Sequence, residues 1–181
     1  MARQVYACYS VDASVMIRLK DMLPDDLFRP AWEEIERLVV AERWKVFDHV
    51  AQEVHGERAK EWFSHNPAAI APFDASFNDY FNRFMVELDG YGLRMVDPNK
   101  ERDDGDPFVV ALALLLEGRS LGDLRTRTTG KVCCVLTSEV LKRNKVNIPS
   151  VCAHYSLPYM TLFDFMRHHG WEIALNVRHP D

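Results

Sequence analysis

The segment at residues 107–116 constrains the fold more than any other, because it is apolar at every position. A helix with one apolar stripe needs a single neighbour, whereas a helix that is apolar all round must be buried on most of its faces. The segment is also far too short to span a bilayer as a helix. It therefore predicts a helix in the interior of a globular domain, and no membrane segment.

Two other apolar runs, at residues 5–11 and 132–136, are typical of strands that are covered on both faces. Further short strands are predicted at residues 44–47, 93–96 and 159–162. Helical patterns are predicted over residues 31–43, 48–65, 73–88, 107–117, 148–155 and 163–169. This alternation predicts an α/β protein, a three-layer α/β/α sandwich around a central, mostly parallel sheet. At 181 residues the chain is most simply one domain, residues 1–181.

The overall charge excludes a protein that holds nucleic acid by its net charge alone, because 27 acidic residues outnumber 22 basic ones. Local basic groups are present, and they could follow a phosphate backbone or be only a solvated surface. These groups contain Arg125, Arg127, Lys131, Lys142 and Arg143. The four cysteines lie in or beside apolar runs, and no signal peptide is apparent. We therefore expect a cytoplasmic protein with reduced thiols.

Acidic residues stand at the ends of three apolar elements. Asp12 ends the first strand, Glu139 follows the strand at 132–136, and Asp106 precedes the apolar helix. Because parallel strands present their carboxyl ends on one edge of the sheet, these carboxylates can converge. Each also has a purely structural interpretation, since acids commonly start helices. Glu53 borders the apolar face of the 48–65 helix, and a surface glutamate is the alternative there.

Four segments resemble, in order along the chain, the acidic motifs of the PIN-domain nuclease family. The segments are Val11-Asp12-Ala13-Ser14, Val50-Ala51-Gln52-Glu53-Val54, residues 106–113 and Leu136-Thr137-Ser138-Glu139. Residues 148–165 are similar to a largely uncharacterised prokaryotic PIN-like subgroup. The chain departs from the family at Ser14, where many relatives have Asn, and at Glu139, where Asp is commoner.

The resemblance implies a PIN-like fold and hydrolysis of RNA with Mg²⁺ or Mn²⁺ at Asp12, Glu53, Asp106 and Glu139. Asp12 and Asp106 are the expected direct metal ligands, and Glu139 the expected ligand through water or of a second ion. Hydroxyl groups near these acids are expected to orient a carboxylate or a water molecule. They belong to Ser14, Thr137 and Ser138. The resemblance also implies the toxin of a toxin–antitoxin pair, with an antitoxin protein as partner and a homodimer as the assembly.

Two alternatives stay open. A PIN-like protein could bind RNA or protein without turnover. A phosphatase of the haloacid-dehalogenase type also begins with a strand ending in Asp, but it needs a second acid two residues later, where this chain has Ser14. Asp103 and Asp104 are spare acidic candidates in the polar segment before the apolar helix.

Overall fold

The computed structural model describes residues 4–95, 106–120, 122–127, 129–143 and 145–172. In chain order, these residues form β1 (Cys8–Val11), α1 (Ala13–Met22), α2 (Arg29–Val40), β2 (Trp44–Phe47), α3 (Asp48–Gln52), α4 (Glu57–His65), a 3₁₀ turn (Pro67–Ala69), β3 (Ile70–Ala71), α5 (Ala75–Gly90), α6 (Asp106–Leu116), β4 (Cys133–Leu136), α7 (Ile148–His154), β5 (Tyr159–Met160) and α8 (Leu162–His169).

The strands form one parallel sheet in the order β3-β2-β1-β4-β5. Alternate residues of β1 face opposite helical layers. The ring of Tyr9 packs 5.2 Å from Phe165 of α8, whereas the hydroxyl of Ser10 donates 2.7 Å to the carbonyl of Val109 in α6. The predicted α/β class, with helices on both faces of a parallel sheet, is confirmed.

The helix α6 is the centre of one helical layer. Its residues from Pro107 to Leu114 are buried, as the apolar sequence predicts. Phe108 stacks 4.1 Å from Phe81 of α5 and 4.9 Å from Phe47 of β2, so α6 packs against both the sheet and α5. Among the helices of the described ranges, none combines the length and the apolar content that a bilayer-spanning segment needs.

Two predicted elements are wrong. The helix predicted over residues 48–65 is divided into α3 and α4, because Gly56 between them has φ +111°, a conformation that only glycine adopts readily. The third strand predicted at 93–96 is absent at residues 93–95, and Val96 lies outside the described residues. The strand that pairs with β2 on the side away from β1 is β3, whose two residues are too few to show an alternating pattern.

The strand order places a topological switch point between β1 and β4. From β1 the chain adds β2 and then β3 on one side of the sheet, and it then returns to add β4 and β5 on the other side of β1. Parallel α/β sheets bind their ligands outside the carboxyl ends of the strands at such a point. The residues that follow Val11 and Leu136 are therefore the first place to look for a functional site.

Candidate active site

Asp12 and Thr137 lie side by side at the switch point. Val11 and Leu136 are paired in the register of β1 and β4. The N–H of Asp12 donates 2.9 Å to the carbonyl of Leu136, and the N–H of Thr137 donates 3.1 Å to the carbonyl of Met160. The backbone of both residues is thus fixed by the end of the sheet, and their side chains meet immediately beyond it.

Two hydroxyl groups donate to one oxygen of the Asp12 carboxylate. Thr137 Oγ1 is 3.0 Å from Asp12 Oδ2, and Ser14 Oγ donates to the same oxygen. Each hydroxyl also accepts a backbone N–H, from Glu139 to Thr137 at 3.1 Å and from Ser138 to Ser14 at 3.0 Å. Because the hydroxyl oxygens accept these bonds, their protons are directed at Asp12. The side-chain hydrogen bonds in the described residues all end on Oδ2, and Oδ1 receives none.

The Asp12 carboxyl group is buried, with 6% of the residue exposed. Burial raises its pKa and the negative charge of Glu139 raises it further, while the hydrogen bonds from Ser14 and Thr137 act in the opposite direction. Asp12 is the N-cap residue of α1, and its carbonyl accepts the N–H of Val15 at 3.0 Å. The Ser14 N–H also favours the ionised form of the carboxylate, although no well-formed capping hydrogen bond joins the side chain to the helix. Asp12 thus occupies the cap position while its carboxylate is held mainly by the two hydroxyls.

Glu139 is held beside Asp12 from two directions. Its N–H bonds to Thr137, and its carboxylate Oε2 accepts the N–H of Ile148, the first residue of α7, at 3.0 Å. It stays partly exposed. No helix begins at Glu139 itself, so the helix-start interpretation applies only in the sense that Glu139 accepts from the start of α7. Its second oxygen, Oε1, has no hydrogen bond within the described residues.

Asp106 reaches the same edge of the sheet by α6 rather than by the third strand that the sequence predicted. It is the first residue of α6 and is partly buried. Val109, in the same helical turn, accepts the hydroxyl of Ser10, two residues before Asp12. The first turn of α6 therefore packs on the end of β1. Asp103 and Asp104 lie outside the described residues.

Glu53 is not among the described residues whose hydroxyl groups bond to Asp12. Glu53 is exposed at the end of α3, which starts at the end of β2 and runs away from it. A helix of that length advances about 7.5 Å along its axis. Across the described part of the chain, no three Asp, Glu, His or Cys side chains are close enough together to hold a metal ion. Asp12 and Glu139 are the acidic pair that the geometry joins.

The predicted basic residues are divided between the two edges of the sheet. Arg127 bonds at 3.1 Å to the carboxylate of Glu117, which also accepts the N–H of Cys133 at the start of β4. This is the amino edge, away from Asp12. The guanidinium of Arg125 lies over the ring of Tyr91 at 5.6 Å, on the same edge, and the exposed Lys131 precedes β4.

Lys142 and Arg143, by contrast, are exposed in the segment that follows Glu139. They are the predicted basic residues that share the carboxyl edge with Asp12.

A buried charge cluster at the amino edge is absent from the sequence predictions. Glu117 and Arg119 are almost fully buried and form an ion pair at 2.7 Å, while Arg119 donates to the carbonyls of Leu124 and Tyr155. These hydrogen bonds connect the segment after α6 to the residue that follows α7. The only sequence signal is that two opposite charges end an apolar helix, a pattern equally typical of a solvated turn.

Comparison with known proteins adds a partial family match. A family model described as a domain of unknown function, DUF4411, matches residues 124–173, a little over a quarter of the chain. The match contains Glu139, Lys142 and α7. Asp12 and Asp106 precede its first residue and lie outside it. No curated protein matches the chain.

Proposed function

We propose that the protein is a divalent-metal-dependent ribonuclease that acts at the acidic pair of Asp12 and Glu139. The observation that carries this proposal is the environment of Asp12. Its carboxyl group is buried at a topological switch point, is oriented by two hydroxyls and lies beside a second acid. No described lysine, arginine or histidine forms an ion pair with it. A buried acid without a cationic partner is costly, and a bound cation would remove that cost.

The donor set fits Mg²⁺ or Mn²⁺. Both are hard cations that prefer oxygen ligands, and Mg²⁺ is usually bound by one or two protein carboxylates with water completing its shell. Asp12 and Glu139 would hold the ion through their carboxylate oxygens. When bound, the ion would neutralise phosphate charge and lower the pKa of a water molecule.

Hydrogen bonds within the chain already orient the two carboxylates of this site. Thr137 and Ser14 fix the plane of the Asp12 carboxylate, and the N–H of Ile148 fixes Glu139. Asp106, at the start of α6, is proposed to approach the same ion through water. Lys142 and Arg143 are proposed to contact the RNA backbone, since both are exposed on this edge.

A binding protein without turnover is the second candidate, because no group of three or more metal-binding side chains is found among the described residues, whereas the resemblance implies four acids. In that case Glu53 and Asp106 would take no part in catalysis. The toxin role, the antitoxin partner and the homodimer remain predictions from the resemblance alone.

Cleavage of a labelled single-stranded RNA by the pure chain in Mn²⁺ or Mg²⁺ separates these candidates. We expect cleavage that requires the metal, is lost in Asp12→Asn and is retained in Asp21→Asn, a matched change at an exposed position of α1. Equal cleavage by the wild type and Asp12→Asn would indicate a contaminating nuclease. No cleavage by the wild type in either metal would overturn the proposed ribonuclease.

A further inference from the structure

Two ring-bearing residues follow the strands on the far side of β1 from Thr137. His49 comes two residues after β2, and Phe73 comes two residues after β3. Because β3, β2 and β1 are adjacent and parallel, with about 4.8 Å between neighbouring strands, the carboxyl edge presents Phe73, His49 and Asp12 in that order. These rings thus adjoin the acidic pair on the same edge.

The rings of His49 and Phe73 pack on two buried phenylalanine rings. His49 stacks on Phe108 at 5.1 Å and on Phe47 at 5.7 Å, and its other neighbour is Phe73 at 5.4 Å. Phe47 and Phe108 are buried, whereas Phe73 is 43% exposed. Phe108 also lies in the first turn of α6, two residues after Asp106. The exposed ring is therefore connected to the acidic edge through packed aromatic contacts.

Stability alone does not account for a histidine in this stack. The Nδ1 atom of His49 is buried and has no hydrogen-bond partner in the part of the chain that the structure describes. A buried polar atom without a partner is unfavourable, and such atoms call for an explanation. A phenylalanine would make the same ring contacts without that cost. Because Nδ1 is buried, a ligand can reach His49 only through the accessible part of its ring.

The charges around the rings determine what kind of ligand they would take. The adjacent residues are acidic: Asp48 begins α3, and Asp74 caps α5 by accepting the N–H of Phe77 at 2.8 Å. Phosphate would be repelled here, so a ligand must be held by its flat face. Nucleobases stack on exposed aromatic side chains largely irrespective of sequence.

We infer that Phe73 and His49 bind, by stacking, a base of a single-stranded RNA whose backbone passes Asp12. This inference rests on the proposed ribonuclease function and specifies its substrate as unpaired RNA, since a base within a duplex has no free face. The phosphates would run toward the Asp12 side and away from Asp48 and Asp74.

Fluorescence anisotropy with a labelled, unstructured RNA tests this inference in metal-free buffer, where cleavage cannot interfere. We expect Phe73→Ala to weaken binding about 5- to 150-fold, the effect of losing one base stack, and Phe73→Tyr to restore it. Tyr91→Ala is the matched control, because Tyr91 is 49% exposed but lies on the amino edge. It should bind as the wild type does.

Two further readouts distinguish stacking from charge. An abasic ribose-phosphate oligomer of the same length should bind Phe73→Ala and the wild type equally. Phe73→Ala should keep the wild-type dependence of affinity on salt, whereas Lys142→Ala should reduce the slope by about 0.7.

Unchanged RNA affinity in Phe73→Ala, an equal loss for the abasic oligomer, or no RNA binding by the wild type would overturn the inference. Binding that depends on Phe73, without cleavage in Mn²⁺, would instead overturn the nuclease and leave the stacking site standing.

Discussion

Replacing Thr137 with valine tests whether its hydroxyl holds the Asp12 carboxylate. Valine has nearly the same shape, and Thr137 is fully buried, so the packing is kept while two hydrogen bonds are removed. Asp12 loses the donor at 3.0 Å, and the N–H of Glu139 loses its acceptor at 3.1 Å. The perturbation is thus confined to the chemistry of the site.

The expected loss follows from those two bonds. A hydrogen bond to a charged group contributes about 1.5–3 kcal/mol and the bond of a partly buried backbone N–H about 1 kcal/mol. We therefore expect Thr137→Val to lower the free energy of unfolding by about 2.5–4 kcal/mol at neutral pH. For a chain of this size, that corresponds to a decrease in Tm of roughly 5–16 °C.

Urea denaturation of four proteins measures this loss: the wild type, Thr137→Val, Asp12→Ala, which removes the acceptor, and the double variant. The interaction between Thr137 and Asp12 should give a coupling energy of about 1.5–3 kcal/mol. Thr137→Ser is the control, because it keeps both hydrogen bonds and loses one methyl group, which is worth about 0.8 kcal/mol. A Thr137→Val loss no larger than that of Thr137→Ser, or a coupling energy near zero, would refute the assignment.

Three other variants test separate parts of the structure. Burial holds the pKa of Asp12 in the folded protein above its unfolded value of about 3.9. The free energy of unfolding of the wild type should therefore fall relative to that of Asp12→Asn as pH rises above about 4. A difference between their urea midpoints that does not change with pH would contradict this. Glu117→Gln leaves a buried arginine without its partner and should cost about 3–5 kcal/mol, whereas Glu57→Gln on the surface should change stability by less than about 0.5 kcal/mol. Gly56→Ala places alanine at φ +111° and should cost about 1–3 kcal/mol, while thermal melting should show Gly90→Ala, in a helix with open space around it, to be neutral or stabilising.

Much of the fold follows from the sequence because its buried elements are long or continuously apolar. The apolar segment at 107–116 must be removed from water on most sides, which predicts a buried helix. The shorter apolar run at 132–136 predicts a buried strand for the same reason. The errors fall where local pattern is weak. β3 has two residues, and Met95 is buried without belonging to a strand, so an apolar run at 93–96 suggests a strand that tertiary packing does not form.

In the candidate site, too, some features follow from the sequence and others depend on tertiary structure. The sequence identifies Asp12, Glu139 and the hydroxyls of Ser14 and Thr137, because all of them lie within three residues of a strand end. It does not reveal that both hydroxyls donate to one oxygen of Asp12, since that depends on the register of β1 against β4. Arg127 and Lys142 could have been separated from the sequence, because they lie before and after the predicted strand at 132–136 and therefore on opposite edges of the sheet.

Binding of Mn²⁺ to the pure chain, measured by isothermal titration and by the loss of the free-ion paramagnetic signal, shows whether the end of β1 holds a metal ion. We expect saturable binding that Asp12→Asn weakens by about ten-fold or more, with weaker binding also in Glu139→Gln and none of this loss in Asp21→Asn. Circular dichroism of each variant checks that the fold is kept. Wild-type affinity for Mn²⁺ in a folded Asp12→Asn variant, or no saturable binding in the wild type, would contradict a metal site at the end of β1.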